Sequence, residues 1–309
     1  MSKTSQSRPA GRRNFAAACL GILCAGFLHN GFDLVPAGEG VQKSDGPPKA
    51  VPIPKDTDAK PEVAETKEVE TITPNEKTLR LCTHMLRDGA SFIQGLDSYT
   101  VTFHKQERIG GDMQPQQTID VKVMHRPGFA VYMKWQNFER GRQILYPADD
   151  KSDKMLVKFG GLRRLLPAIK LDPNCSAAMA ETRYPISEAG ILGMAQQILS
   201  YRENDVKNSD GVTCTQLDDV EFDGRRCRVF RIEYDSEKRC KMYRKTVMTL
   251  DAERGIPVKV VNYTWAGAQA NFDEQKLDQM TLIEDYSFTN INTSSSLVAG
   301  DFERGTYRM

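Results

Sequence analysis

The chain has 309 residues, with 42 Lys and Arg against 41 Asp and Glu, a formal charge of +1. So even a balance lacks the basic excess of a general nucleic-acid binder. A hydrophobic share of 39% and a charged share of 27% fit a globular domain with polar appendages, and the length admits one large domain or two small ones.

Residues 1–37 read as an export segment. Arg8, Arg12 and Arg13 form a basic start, and residues 15–28 are an apolar run of 14. A spanning helix takes about 20 apolar residues, so this run suits a signal peptide, with Val35-Pro36-Ala37 offering cleavage after Ala37. An uncleaved anchor, which would hold the protein near a membrane, is the alternative. Arg12-Arg13-Asn14-Phe15 resembles a twin-arginine signal. A lipoprotein reading at Cys24 is weakened by Leu23, which stands where a small residue belongs. Residues 38–72 carry Pro47, Pro48, Pro52, Pro54 and Pro61 among Lys, Glu, Asp and Ala. Such a stretch cannot bury enough apolar surface to offset its conformational entropy and reads as a disordered linker.

Residues 73–309 read as the folded domain. Thr73-Pro74-Asn75-Glu76 is a capping box with Pro at the first helical position. The helix that follows, over 76–95, places Leu79, Cys82, Leu86 and Ile93 on one stripe. Strands are expected at 98–109, 116–126, 130–137, 141–148 and 154–160, separated by Gly, Pro, Asn and Asp turns. Their residues alternate: Tyr99, Val101 and Phe103 against Thr100, Thr102 and His104; Ile119, Val121 and Val123 against Thr118, Asp120 and Lys122. A period of two gives an antiparallel sheet with one apolar and one wet face. An irregular stretch over 161–186 contains a basic pair, Arg163-Arg164. Ser187-Glu188 opens a second helix to about Tyr201, and strands resume at 212–222, 225–235, 240–251, 256–265 and 279–290. The fold class is therefore α+β: a curved antiparallel half-barrel of about ten strands with helices across its concave apolar face.

Five cysteines follow the export segment: Cys82, Cys175, Cys214, Cys227 and Cys240. A two-residue turn at Asp223-Gly224 pairs Phe222 with Arg225 and Val220 with Cys227. That register holds Cys214 too far from Cys227 for a bridge, which needs Cα atoms within about 7 Å. No disulfide framework is expected.

The inventory for catalysis is thin. His84, His104 and His125 show no metal-ligand spacing, and neither a nucleophile elbow nor a P-loop occurs. Gly110-Gly111 leads into a strand and reads as a hairpin turn. Asp218, Asp219, Glu221, Glu284 and Asp285 read as solvated faces or turn residues. No catalytic residue, metal or cofactor is assigned. The informative surface is the apolar face. Candidate ligand contacts are Phe103, Val121, Val131, Met133, Trp135, Ile144 and Tyr146 from the sheet, with Ile191, Met194 and Ile198 from the second helix. By periodicity alone a plain closed core accounts for these residues better than a ligand cavity does.

A set of segments resembles a known family. Tyr99-Thr100-Val101-Thr102-Phe103 leads into Lys105-Gln106-Glu107-Arg108; Val131-Tyr132-Met133-Lys134-Trp135 and Gly141-Arg142-Gln143-Ile144-Leu145-Tyr146 follow. Leu171-Asp172-Pro173 and Arg183-Tyr184-Pro185-Ile186 come later. Across about 76–290 this resembles bacterial domain-of-unknown-function family 1571, itself similar to the LolA-like lipoprotein carriers. The resemblance implies a half-open barrel that holds lipid or acyl chains in the bacterial envelope. It implies that residues 131–135 supply bulky side chains to a cavity and that residues 297–302 are a closing segment. The lid-locking arginine of those carriers stays unassigned, with Arg142 as the candidate. The expected protein is an exported, non-enzymatic periplasmic or envelope protein whose partner is a lipid or acylated protein. The alternative is a structural or interaction module with a closed core.

Overall fold

The alternation of apolar and polar residues does build one antiparallel sheet, seen in a computed structural model that describes residues 72–149, 152–267 and 273–309. The expected export segment and all of the linker but Ile72 lie outside the described residues.

Helix α1 (Pro74–Gly95) starts at the expected capping box: the Glu76 amide donates to Thr73 Oγ1 at 3.2 Å and the Thr73 amide to Glu76 Oε2 at 2.8 Å. Seven strands follow: β1 (Ser98–Ile109), β2 (Asp112–Met113), β3 (Gln117–Met124), β4 (Ala130–Trp135), β5 (Gln143–Tyr146), β6 (Met155–Lys158) and β7 (Ile169–Leu171). A crossing segment carries the short α2 (Ser176–Met179) and leads into α3 (Gly190–Lys207). Strands β8 (Val212–Phe222), β9 (Arg225–Tyr234), β10 (Lys245–Asp251) and β11 (Pro257–Tyr263) come next, then α4 (Glu274–Thr281) and β12 (Leu282–Asn292).

The sheet has twelve strands, not ten, in the order β7-β6-β5-β4-β3-β1-β12-β11-β10-β9-β8, with β2 hanging on β1. Strands β7 and β8 are left as its two ends, so the sheet stays open rather than closing into a barrel. The two extra strands are the short β2 and β7. Register aligns the apolar face across six strands: Val101 opposes Val121, which opposes Met133, then Ile144, Val157 and Ile169. Because side chains alternate strictly, one such row fixes the face of every neighbour.

Four expectations shift. The second helix begins at Gly190, not at Ser187, because residues 186–188 form a 3-10 turn and Gly190 takes φ +93°. It runs past Tyr201 to Lys207, since its polar residues Arg202 and Asp205 are buried and pair with each other. Strand β10 starts at Lys245 rather than 240, and α4 occupies residues assigned to the last strand. The turn at Asp223-Gly224 is as expected, with Val220 opposite Cys227, and Cys82, Cys175, Cys214, Cys227 and Cys240 are all free.

The face expected to be wet is covered over part of the sheet. Tyr132, Leu145 and Leu156, which lie in register on that face, are buried with Met124, Ala130 and Ala148 under Phe302 from the C-terminal segment. Tyr307 stacks on Tyr132 with ring centroids 3.5 Å apart. Residues 297–302 therefore close over the face opposite the helices.

Candidate functional site

The concave face is the one expected to hold ligand, and its side chains fall into two apolar clusters and a polar patch. The first cluster spans β1 and β3–β6, with Cys227 from β9, Val258 from β11 and Phe288 and Ile291 from β12. It brings together Val121, Val131, Met133, Trp135, Ile144 and Ile191, all buried, with Phe103, Tyr146 and Met194 half-buried against it. The second lies on β8–β11 under α1 and α3 and takes Ile198, with Leu79, Cys82 and Leu86 from α1 and Phe230, Ile232 and Met248 from the sheet. Nine of the ten expected contacts thus share one cluster, and Met194 touches both.

Why α1 can lie so close is legible in one contact. A Cβ on Gly89 would overlap the Gly255 carbonyl, and a Cβ on Gly255 (φ +70°) would overlap that of Met85. Helix and β10–β11 turn meet backbone to backbone, which only two glycines allow.

The cover over the first cluster is thinner. It consists of the end of α1, with Ile93 buried in the cluster, the crossing segment and the start of α3. None of the residues of α2 is fully buried, and Leu171, Ala178 and Leu192 are only partly so. Phe103, Phe129, Tyr146 and Met194 are half-buried against the same cluster, Phe103 in the row of Ile119 and Trp135 and Tyr146 in that of Val123 and Val131. Phe103 stacks on Phe288 at 4.9 Å, and Phe129 lies 6.3 Å from Tyr146.

Sequence reasoning missed the polar patch. Glu284, read as a solvated residue, is 1% exposed. Its carboxylate accepts from Arg183 Nε, from Tyr184 Oη at 2.9 Å and from Asn262 Nδ2 at 2.7 Å. Asn262 is itself held by Thr246, and Tyr243 lies 3.4 Å from both carboxylate oxygens. Beside it, buried Glu107 pairs with Lys105 at 3.1 Å and accepts from Tyr286 Oη at 2.5 Å. Burial lowers the Arg183 pKa, but the adjacent Glu284 outweighs it and leaves the guanidinium above its ordinary value. Burial, then Glu284, raises Tyr184, Tyr243 and Tyr286, so these phenols stay protonated donors. The usable signal was the β12 alternation, which sets Glu284 in phase with Tyr286 and Phe288.

Both arginines in this region tie the crossing segment down. Arg142, singled out by resemblance, reaches Glu139 at 2.9 Å and Glu181 at 2.6 Å, with its guanidinium 5.0 Å above the Trp135 ring. Arg183 grips Glu284, and Lys105 donates to Thr182 at 3.1 Å.

Other features carry less. Among the described residues no group of three His, Cys, Asp or Glu is placed to hold a metal ion, and no helix is long and apolar enough to cross a membrane. An open polar cleft of about 600 Å³ lies elsewhere, between residues 223–226 and 251–253, where Arg225 pairs with Asp251 at 3.1 Å.

Several solved structures are similar to this chain. MucB aligns at 11% identity with a TM-score of 0.41, covering 72% of this chain and 62% of its own, so the chain spans less than two thirds of MucB. The lipoprotein LppX from Mycobacterium tuberculosis aligns at 14% and 0.40, covering 71% and 99%. A putative outer membrane lipoprotein-sorting protein domain from Vibrio parahaemolyticus aligns at 15% and 0.34, covering 76% and 100%. No curated protein sequence matches significantly. A family match covers residues 96–307, from the residue after α1 to the C-terminal segment. By that match, this chain belongs to the family described as "Protein of unknown function (DUF1571)".

Proposed function

We propose that this protein is an exported envelope protein, without enzymatic activity, that binds a lipid or protein-attached acyl chain between the sheet and its helical cover. The observation that carries the reading is the set of apolar side chains Phe103, Phe129, Tyr146, Leu171, Leu192 and Met194, half-buried around the cluster under a cover that includes α2. Ligand sites are mostly apolar with a few convergent polar groups, and the Glu284–Arg183 patch supplies those at one side. A flexible methionine in that set adapts to chains of different shape. The ligand contacts are then Phe103, Val121, Val131, Met133, Trp135, Ile144, Tyr146, Ile191, Met194 and Ile198. Arg142 and Arg183 act as latches on the crossing segment.

The closed-core reading has its own observation, the full burial of Val121, Val131 and Ile191. One measurement separates the two. Native mass spectrometry of protein purified from its own envelope is expected to show adducts of lipid mass that organic extraction removes. Bare polypeptide alone, from several preparations, would leave the closed interaction module standing.

A further inference from the structure

At one end of the sheet the chain displays apolar side chains that no described residue covers. The β6–β7 loop reads Phe159-Gly160-Gly161-Leu162-Arg163-Arg164-Leu165-Leu166-Pro167. Leu162 is 102% exposed, Leu165 90% and Leu166 49%. The neighbouring β4–β5 turn adds Phe138, also 49% exposed.

This loop is held in place. A Cβ on Gly160 would overlap the Glu139 carbonyl, so the loop base presses on the β4–β5 turn. The Gly161 amide donates to the Arg140 carbonyl at 3.0 Å, and Arg163 reaches Glu139 Oε1 at 2.6 Å while its guanidinium lies 5.0 Å over Phe159. Inside the loop, the Arg163 amide bonds the Gly160 carbonyl and the Leu166 amide the Arg163 carbonyl. These bonds hold the backbone of the loop, and its leucines stay exposed. Single exposed apolar residues need no account, but four on two adjoining turns make a patch.

The charge around the patch is positive. Arg140, Arg142, Arg163 and Arg164 stand against Glu139 and Glu181, which both pair with arginines of this group. Among the described residues, Arg140 and Arg164 make no ion pair.

We propose that this loop and Phe138 dock the protein on an anionic phospholipid bilayer, with the leucines entering the acyl boundary and the arginines meeting headgroup phosphates. This stands independently of the ligand proposed above. Two arguments favour a bilayer over a protein partner. Four side chains on two turns offer a few hundred Å² at most, while a specific protein interface buries about 1,200–2,000 Å² in total. Protein hot spots also favour Trp, Tyr and Arg over Leu, whereas aliphatic tips flanked by arginine suit the headgroup boundary.

The test uses the full chain. Residues 15–28 offer vesicles a second contact, so the readout must be local. In Leu165→Trp, the emission added over wild type reports this loop alone. With phosphatidylcholine vesicles containing phosphatidylglycerol, that emission is expected to shift to the blue and to be quenched by brominated acyl chains. Substituting Leu162→Ser and Leu166→Ser in that background is expected to weaken the response roughly tenfold or more. Arg140→Gln with Arg164→Gln, or raised salt, is expected to weaken it severalfold. All these side chains are exposed, and unchanged circular dichroism checks the fold. No shift with anionic vesicles overturns the proposal. So does a shift that appears on concentrating the protein without lipid, which would assign the patch to contact between copies.

Discussion

At the scale of single residues, the most consequential group is Glu284. A carboxylate this deep is tolerated because Arg183, Tyr184 and Asn262 all donate to it. Breaking a buried pair costs more than the pair contributes, because the partners stay behind without compensation. Glu284→Leu is expected to destabilise by about 3 kcal/mol or more, read from urea unfolding. Glu284→Leu with Arg183→Met should recover a good part of that loss, because both charges then leave together. A single substitution costing under roughly 0.5 kcal/mol would mean that water already solvates the patch. His125 offers a pH test. It is half-buried against Tyr99, its Nδ1 donates to the Leu96 carbonyl at 3.2 Å, and burial lowers its pKa from 6.5. A base with a depressed folded pKa binds fewer protons folded than unfolded. Its stabilising share is therefore complete above the unfolded value near 6.5 and is lost as pH falls through the folded one. The thermal midpoint should drop on acidification through that window, and His125→Phe should flatten the drop.

At the scale of elements, local chemistry was legible and long-range pairing was not. The start of α1 could be read because Thr73 and Glu76 satisfy each other three residues apart. The β8–β9 register could be read because a two-residue turn leaves no freedom, which correctly separated Cys214 from Cys227. The end of α3 was misplaced for the opposite reason. Arg202 and Asp205 look like solvated residues that end an apolar stripe, yet they are buried against Tyr234 on β9, with Asp205 also gripped by Arg239 at 2.8 Å. Their partners lie some 30 residues away in sequence, beyond any local pattern. Helix α4 escaped because Thr281 is its one buried residue, so it has no apolar stripe to find. The candidate ligand residues were legible as a face because alternation assigns faces. That Ile198 belongs to the second cluster was not, because it depends on where α3 crosses the sheet.

At the scale of the molecule, one sheet carries cores on both sides. The helices cover the concave face, and the C-terminal segment covers the other face over β3–β6. The alternation that opened the problem suggested one apolar face, and Tyr132, Leu145 and Leu156 were the residues that broke its rule. Their burial requires residues that the sequence places about 150 positions later, with Phe302 and Tyr307 as the anchors. This arrangement makes a thermodynamic prediction. Phe302→Ala removes the anchor of the outer layer and should cost about 3 kcal/mol; Leu86→Ala, under α1, should cost about 2–5 kcal/mol. The two sites share no cluster, so their losses should add in the double variant to within about 0.5 kcal/mol, provided unfolding stays two-state. A larger coupling would show that the sheet transmits strain from one face to the other. In that case a ligand parting the helices on the concave side would also loosen the C-terminal cover. Additive losses would instead mean that the concave face can open while the outer layer stays shut, the behaviour a carrier requires.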